Sequence, residues 1–454
     1  MQDSPLSLLP PLIAIVIAVW RKNALLALFC GVILATIMST NWQIMNGLTD
    51  GFLTISGVFT STSNLYIVSF SLLIGALVTL MNKSGAVNGF IERLSSLNLV
   101  KNARQASMLP TIIGTSIFTD TNLSMFTAGM ASQKLFDKYK MSRAKLAYLI
   151  DSTCAPVSIL LLVNGWGAYV LGLLDDYQLA DSVGILIGTV SYNFYAIIAI
   201  VLAFYTAYSG KLYGPMKRAE SKMTAQQQQD AVKQTAPAYI MWLPLLLLLT
   251  MTLVLLWITG NGDIRRGSGS FSVFWSITSA FIVLVVLIGF HKLLNIKEIT
   301  MGSMEGIKHM FPAVAILVLS FSFGDAIKGL GTGIYVSELF NVELPLYLMA
   351  PVIFIAAALM AFATGTSWGT FAILVPIAVP IAQQSGLPIE FLVAAVLGGG
   401  VFGDHASPIS DTTVVASIAS GCDHFEHVKT QLPYALFGGV ITIILYIFVG
   451  LGLS

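Results

Sequence analysis

The chain has 454 residues, of which 56% are hydrophobic and only 10% are charged, and its mean hydropathy is +0.83. A soluble protein carries about 25% charged residues, so this composition excludes an ordinary soluble enzyme and predicts an all-α polytopic membrane protein. A transmembrane β-barrel would instead show short segments of alternating hydrophobicity. The formal net charge of +1 points to no charged partner, and no nucleic-acid partner is expected.

Apolar segments long enough to cross a bilayer recur along the whole chain, and we predict about ten transmembrane helices plus two re-entrant hairpins. In the first half, the predicted spans lie near 6–20, 24–40, 65–82, 144–174 and 184–209, with a hairpin near 106–133. In the second half, they lie near 237–259, 271–290, 311–329, 390–420 and 434–453, with a hairpin near 346–384. The fourth span of each half is expected to be a broken helix, interrupted at Pro156 or Pro408, because proline cannot donate a helical hydrogen bond. The first apolar segment lacks a basic stretch before it, so we interpret it as a retained span rather than a signal peptide.

The two halves resemble each other at four collinear positions. "GTSIFT" (114–119) matches "GTSWGT" (365–370), "CAPVS" (154–158) matches "ASPIS" (406–410), 48–52 matches 303–307, and 68–71 matches 319–322. Each repeat would contain an odd number of spans, so the repeats would insert with opposite orientations. Inverted repeats with broken helices are typical of secondary transporters whose site lies near mid-membrane. The predicted organisation is a first repeat over 1–209, a cytoplasmic linker over 210–236 and a second repeat over 237–454.

The positions of the basic residues predict the orientation in the membrane. With both termini outside, every Lys and Arg except Arg265, Arg266 and Lys328 falls on the cytoplasmic side, as basic loops do. We therefore expect a multi-pass protein of a bacterial-type inner membrane.

Ionisable side chains inside apolar segments are costly, so each is a candidate functional residue. These residues are Asp120, Asp151, Asp325, Asp404, Asp411 and His405. Because no Lys or Arg is predicted deep in a span, the carboxylates need a mobile cation, a proton or water. Structural alternatives remain: polar packing for the aspartates, a water-facing hairpin mouth for Asp120, a helix end for Asp325, and a hydrogen-bonded core position for His405.

The stretch "GDHASPISDTT" (403–413) concentrates this chemistry beside the expected break at Pro408. A break at membrane depth frees carbonyl groups, which is tolerated where they line a cavity or are buried in protein. We expect the glycines of 398–403 to loosen the helix before the break. Hard cations such as Na⁺ prefer oxygen ligands, so Asp404 and Asp411 are the candidate Na⁺ carboxylates.

Hydroxyl-rich stretches at the two hairpin tips could complete an ion or substrate site. The candidate residues of these tips and of the broken helices are Thr115, Ser116, Asp120, Asn122, Asp151, Ser152, Thr366, Ser367, His405, Ser407, Ser410 and Thr412. Half-helix N-termini at the tips could also face an anionic group. His424 and His427 have metal-like spacing, but we place them in a cytoplasmic connection and expect no metal there. No nucleotide-binding motif is present, so energy is expected to come from an ion gradient.

The sequence resembles the NhaC-type sodium/proton antiporter family of the ion transporter superfamily. The resemblance is carried by "GTSWGTFAILVPIAVPIA" (365–382), "GDHASPISDTTVVAS" (403–417) and "DHFEHVKTQLPYA" (423–435), and by "PLIAIVIAVWRKNALLALFCGV" (11–32) near the start. It implies inverted repeats, each with a scaffold part and a transport part, a homodimer, and Na⁺ and H⁺ as transported ions without a cofactor. The ion-site positions carried over by the resemblance are Thr366, Ser367, Asp404, Ser407, Ser410, Asp411 and Thr412.

The leading hypothesis is Na⁺/H⁺ antiport, with Asp404 and Asp411 binding a proton and Na⁺ alternately and His405 sensing pH. The resemblance also covers exchangers of small organic acids. The alternative is therefore a Na⁺- or H⁺-coupled transporter of a small organic solute such as an organic acid, an amino acid or a drug.

Overall fold

The computed structural model describes residues 5–21, 23–96, 100–161, 163–175, 177, 179, 181–221, 235–332, 345–408 and 410–453. Within these ranges every regular element is helical, which confirms the predicted all-α class. Residues 222–234 of the predicted linker lie outside the described ranges.

We number the α-helices in chain order. The first half contains α1 (Leu9–Arg21), α2 (Ala24–Ser39), α3 (Ile44–Gly57), α4 (Thr62–Lys83), α5 (Ala86–Ser96), α6 (Ala103–Ser116), α7 (Thr121–Lys138), α8 (Arg143–Leu160), α9 (Gly165–Asp175), α10 (Ser182–Tyr192), α11 (Phe194–Ser209) and α12 (Gly214–Ser221). The second half contains α13 (Tyr239–Thr259), α14 (Gly269–Phe290), α15 (Ile296–Gly329), α16 (Met349–Thr364), α17 (Ser367–Ser385), α18 (Ile389–Ala406), α19 (Asp411–Ser420) and α20 (His424–Leu453). Short 3₁₀ helices lie at Pro5–Leu8, Val58–Thr60, Ile264–Arg266 and Leu346–Leu348.

Nine helical segments in the described chain are long and apolar enough to cross a membrane by length and composition. They are Thr62–Lys83, Arg143–Asp175, Phe194–Ser221, Tyr239–Thr259, Gly269–Phe290, Ile296–Gly329, Leu346–Thr364, Ile389–Ala406 and His424–Leu453. Shorter apolar helices occupy Leu6–Ala18, Leu25–Ser39 and Ser182–Tyr192. These segments make the chain a multi-pass membrane protein.

The predicted break at Pro156 is wrong. Helix α8 continues through Pro156 to Leu160, and the described residues that follow it, Leu161, Val163 and Asn164, are not helical. A proline inside a helix removes one hydrogen bond, here to the carbonyl of Ser152, without having to end the helix. The single span expected near 184–209 is likewise divided: α10 ends at Tyr192, and Asn193 caps α11 by accepting a hydrogen bond from Ala196 N.

The predicted break at Pro408 is confirmed. Ser407, directly before the proline, is extended at φ −82° and ψ 131°, because the proline ring disfavours helical geometry in the preceding residue. Helix α19 begins at Asp411, with Ser410 as its N-cap. The proline-containing segment of the second half therefore breaks at its proline, whereas that of the first half breaks only after its proline.

The sequence suggested that the glycines before this break loosen α18, but this prediction is wrong. They allow α18 to pack closely on α16. A Cβ atom at Gly399 would lie 2.4 Å from the Phe354 carbonyl oxygen, and one at Gly403 would lie 2.4 Å from that of Ala358. Small residues four apart are the usual means by which membrane helices bring their backbones together. Helix α18 is accordingly held firmly up to the residue that precedes the break.

The helices that contain and surround the broken segments form three packed groups. In the first group, α15 packs against α4 and α2, and α14 packs against α13 and α4. The second group contains α6, α7, α8, α11 and α19, and the third contains α10, α16, α17, α18 and α20. Helix α16 ends at Thr364 and is capped by Gly365, whose φ of +68° favours glycine. The chain turns there directly into α17. The start of α17 is thereby placed beside the end of α18.

Candidate functional site

Asp404 lies in the last turn of α18 and is 1% exposed. Ser367, in the first turn of α17, donates a hydrogen bond to Asp404 Oδ2, and its Oγ lies 3.2 Å from the Gly400 carbonyl oxygen. The start of α17 therefore meets the end of α18, with a hydroxyl against a buried carboxylate.

The break itself is rich in hydroxyl contacts. Ser407 Oγ donates to the Phe362 carbonyl oxygen at 2.8 Å, and Ser410 Oγ accepts from Thr413 N at 3.4 Å and lies 3.0 Å from Thr412 Oγ1. These contacts hold Ser407 against α16 and Ser410 at the start of α19. The side chain of Asp411 lies outside the described part of the structure.

A second carboxylate, Asp151 of α8, reaches the same place from the first half of the chain. It is fully buried, and its Oδ2 accepts hydrogen bonds from Gln431 Nε2 at 2.7 Å and from Thr413 Oγ1 at 3.4 Å. Thr413 Oγ1 also lies 3.2 Å from the main-chain oxygen of Asp404. Asp151 Oδ1 has no hydrogen-bond partner among the described residues. One hydroxyl thus links the two halves of the chain at two buried acidic residues.

Two buried histidines adjoin these carboxylates. His427 Nε2 lies 2.9 Å from Gln431 Oε1 and 3.7 Å from Asp151 Oδ2, and the His427 side chain is fully buried. His405, which is 1% exposed, places its Nδ1 3.1 Å from the hydroxyl of Tyr195. We call the group of Asp151, Ser367, Asp404, Thr413, His427 and Gln431 the carboxylate cluster.

A cavity of about 340 Å³ lies next to the carboxylate cluster. Its walls come from α4, the connection between α6 and α7, α7, α8, the start of α9, α15, the start of α17 and α19. The lining residues are Ile74, Thr119, Asp120, Thr121, Asn122, Ser158, Asn164, Gly165, Trp166, His309, Met310, Pro312, Ile316, Thr366, Trp368, Thr412 and Val415. Asp120 Oδ1 caps α7 by accepting from Leu123 N at 2.7 Å. The predicted residues Asp120, Asn122, Thr366 and Thr412 all line this cavity.

The cavity adjoins the N-terminal ends of four helices: α7, α9, α17 and α19. Helix N-termini carry partial positive charge and favour anions. The hydroxyl of Thr119, which is 4% exposed and lines the cavity, has no hydrogen-bond partner among the described residues. This wall can therefore donate to an acceptor inside the cavity.

Some predicted residues lie elsewhere. Thr115 and Ser116 donate to carbonyl oxygens of their own helix, Thr111 at 2.9 Å and Ile112 at 2.7 Å, and Ser116 is exposed. Ser152 is buried beside Asp151, and Asp325 is exposed on α15. The structure does not bring these residues into the carboxylate cluster or among the residues lining the cavity.

The sequence missed Thr413, His427, Gln431 and His309. His427 and His424 lie in the first turn of α20 rather than in a connection. His427 and Gln431 are four residues apart, so they share one helix face, and this polar pair at the start of an apolar helix was the available signal. No group of three or more metal-binding side chains occurs among the described residues.

Comparisons with known proteins identify the family of the chain. The sequence model of the Na⁺/H⁺ antiporter family matches residues 160–451. An uncharacterised protein of Haemophilus influenzae is 33% identical over 98% of this chain and 90% of its own length. The malate-2H⁺/Na⁺-lactate antiporter of Bacillus subtilis is 33% identical over 40% of each chain.

Among solved structures, the YdaH transporter of Alcanivorax borkumensis superposes with a TM-score of 0.63 at 14% identity, over 89% of each chain. This likeness concerns the fold. The matches confirm the resemblance found in the sequence, and they indicate ions that are carried across the membrane rather than held as cofactors. The chain therefore belongs to the Na⁺/H⁺ antiporter family and is a multi-pass secondary transporter, not an enzyme.

Proposed function

We propose that the chain exchanges Na⁺ for H⁺ across a bacterial inner membrane, and that the two cations compete within the carboxylate cluster. The observation that carries this proposal is the burial of Asp151 and Asp404, from opposite halves of the chain, around the single hydroxyl of Thr413. An unneutralised carboxylate in such a place would cost several kcal/mol. Each must therefore hold a proton or face a cation, and exchanging one for the other is a transport cycle.

Asp404 is assigned the Na⁺ role. Ser367 Oγ already contacts its carboxylate, and the break at 407–410 supplies carbonyl and hydroxyl oxygens nearby. Hard cations favour such oxygen ligands. Asp411 opens the next helix and remains a predicted ligand. Asp151, held by an amide with a histidine beside it, is assigned the proton role.

The proposed transport cycle is alternating access between two inverted repeats, 1–209 and 237–454, joined by a cytoplasmic linker over 210–236. In this scheme, re-entrant hairpins near 106–133 and 346–384 and the two broken helices move as a transport part against a scaffold that includes α15. The cavity supports the scheme because its wall combines α15 with both tips. We further propose that both termini lie outside and that two copies pair through their scaffolds.

The cavity favours a second candidate, a Na⁺- or H⁺-coupled transporter of a small organic anion. A volume of about 340 Å³ falls in the range of small-molecule sites, and four helix N-termini with the free hydroxyl of Thr119 would suit a carboxylate. The relative from Bacillus subtilis is named for the exchange of malate and lactate. In this candidate, the carboxylate cluster holds the coupling ion and the cavity holds the solute.

Purified full-length protein in liposomes that contain a pH dye would test the proposal. Adding Na⁺ is expected to move protons in wild type, with Li⁺ and K⁺ as comparison cations, and Asp404→Asn should abolish the signal. Absence of proton movement by intact wild type would reject Na⁺/H⁺ exchange. Proton or Na⁺ flux that appears only when a carboxylic acid, an amino acid or a drug is added would establish the second candidate.

A further inference from the structure

A chain of polar side chains connects the start of α20 with Asp151. His424 Nδ1 lies 3.3 Å from Ser417 Oγ, and Ser417 Oγ lies 2.9 Å from His427 Nδ1. His427 Nε2 lies 3.7 Å from Asp151 Oδ2. His424 is partly exposed, whereas His427 and Asp151 are fully buried. The chain therefore runs from an accessible imidazole to the inner carboxylate, on a different path from the cavity, whose lining contains none of these residues.

The hydrogen-bond directions along this chain are determined by its neighbours. Gln431 Nε2 lies 2.7 Å from Asp151 Oδ2 and 3.1 Å from the His405 carbonyl oxygen, which are both acceptors. Its Oε1 must then face His427, so the Nε2 atom of His427 carries hydrogen. The Ser417 hydroxyl donates at 2.7 Å to the Thr413 carbonyl oxygen, which lies 3.3 Å from His427 Nδ1. This hydroxyl must therefore turn from Thr413 to His427 Nδ1 for a proton to pass. At the outer end, His424 Nε2 donates to the Pro408 carbonyl oxygen at 2.7 Å. A protonated His424 would have its remaining N–H directed at Ser417.

We propose that His424, Ser417 and His427 form a proton relay to Asp151, separate from the route taken by the cargo. The proposal rests on the proposed function, because Asp151 is there the proton-binding group. Protonated His424 gives its Nδ1 proton to Ser417 Oγ while the Ser417 hydroxyl proton passes to His427 Nδ1. His427 then transfers its Nε2 proton to Asp151 Oδ2, which leaves the carboxyl protonated and His427 neutral again, with its hydrogen on Nδ1. One proton enters from solvent, one carboxylate is neutralised, and the reverse sequence releases the proton.

Other titratable groups face the relay and define its surroundings. His405 on α18 and Asp151 on α8 face His427, together with His424 at the start of α20. Gln431 contacts both His427 and Asp151 and acts as a positioning residue. Because His427 must approach Asp151 by less than 1 Å to form a normal hydrogen bond, a small shift of α20 against α8 would connect or disconnect the relay.

The first test compares two fluxes in liposomes. Na⁺-driven proton movement needs the relay, whereas exchange of labelled for unlabelled Na⁺ needs no net proton transfer. We expect His427→Gln and Ser417→Ala to lower the ratio of Na⁺-driven proton movement to Na⁺/Na⁺ exchange by about 100-fold. This factor is the lower end of the rate effects that positioned proton-transfer groups produce. Ser417→Thr should restore the ratio. His424→Ala should have a smaller effect, which added imidazole reverses, because water and buffer can reach the exposed end.

Ser420→Ala is the matched control, since Ser420 is a buried serine of the same helix whose hydroxyl donates only to the Ser417 carbonyl oxygen at 3.0 Å. It should leave the ratio unchanged. An unchanged ratio in both His427→Gln and Ser417→Ala, while wild type exchanges Na⁺ for H⁺, would overturn the relay and leave the proposed function standing.

A second measurement is independent of the cargo. The infrared carboxyl band that Asp151→Asn removes would be followed after a rapid pH drop in purified protein. The relay predicts that Ser417→Ala slows the appearance of this band and that Ser420→Ala does not. Equal rates in wild type and Ser417→Ala would reject the relay even if the wild type proved to carry no Na⁺.

Discussion

The carboxylate cluster and the cavity are built from adjacent residues of the same two helix starts, yet their surroundings differ. At the start of α17, Thr366 lines the cavity and Ser367 contacts Asp404; at the start of α19, Thr412 lines the cavity and Thr413 contacts Asp151. The cluster is closely packed, whereas the cavity has room for a small molecule. Neighbouring residues at a helix start thus separate the region to which we assign the cation from the cavity to which the second candidate function assigns a solute.

The largest expected effect is the loss of Na⁺ affinity when Asp404, which belongs to the carboxylate cluster and not to the cavity, is replaced. Asp404→Asn removes a buried charge that the bound cation needs, and losing one partner of such a pair costs roughly 2–5 kcal/mol. Na⁺ affinity should fall by about 30-fold or more, measured as Na⁺ binding to purified protein. The matched control is Asp325→Asn, the same change at an exposed aspartate of α15, which should bind Na⁺ as wild type does. Equal loss in both variants would remove Asp404 from the site.

A smaller effect is expected at the Thr413 hydroxyl, which joins the carboxylate of Asp151 to the main-chain oxygen of Asp404. Thr413→Val keeps the shape but leaves the oxygens of Asp151 and Asp404 without that donor, at a cost of about 1–3 kcal/mol. Denaturant unfolding should show this loss, together with weaker Na⁺ binding. Thr442→Val removes a buried threonine hydroxyl that bonds only within α20 and should leave Na⁺ binding unchanged. If Thr413→Val retained the Na⁺ affinity of wild type, Asp151 and Asp404 would act independently of each other.

The close packing that distinguishes the cluster from the cavity can be tested at Gly403. Gly403→Ala forces a methyl group against the Ala358 carbonyl oxygen, and overpacking of this kind costs about 1–3 kcal/mol. The melting temperature should fall. Gly289→Ala, where a Cβ meets no atom within 4 Å, is the control and should not lower it. An unchanged melting temperature in Gly403→Ala would show that α16 and α18 can move apart at this point without loss of stability.

The smallest effect is expected at Ser116, which the sequence placed at the first hairpin tip but which is exposed and bonded within α6. Ser116→Ala should change stability by no more than about 0.5 kcal/mol, as surface substitutions do. Transport rates in liposomes should match those of wild type. A clear loss of transport would bring Ser116 back into the site and extend the cavity toward the end of α6.

The sequence predicted what depends on local rules. Hydropathy located the apolar helices, and Ser407–Pro408 located the second break because proline restricts the residue before it. Of the two "GTS" motifs, the second lies beside Asp404 through Ser367, whereas Thr115 and Ser116 of the first bond within α6. Asp151 was correctly singled out, because a carboxylate inside an apolar segment is expensive wherever it lies.

What the sequence did not give depends on tertiary contacts. Pro156 remains within α8, a buried helix that packs against α6, α7, α11 and α19. Gln431 and His427 lie in α20, and only the packing of α20 against α8 and α19 brings them to Asp151. His309 joins the cavity from α15. No local pattern indicates which of many polar helix residues will meet across such distances in sequence.

The measurement that tests the central claim most directly is proton release on Na⁺ binding. Purified protein in weakly buffered solution near neutral pH would receive Na⁺ while the pH is recorded. If Na⁺ and H⁺ compete within the carboxylate cluster, Na⁺ binding must displace protons, and the release should vanish in Asp404→Asn. Na⁺ binding by wild type without any proton release would contradict competition and with it the proposed exchange.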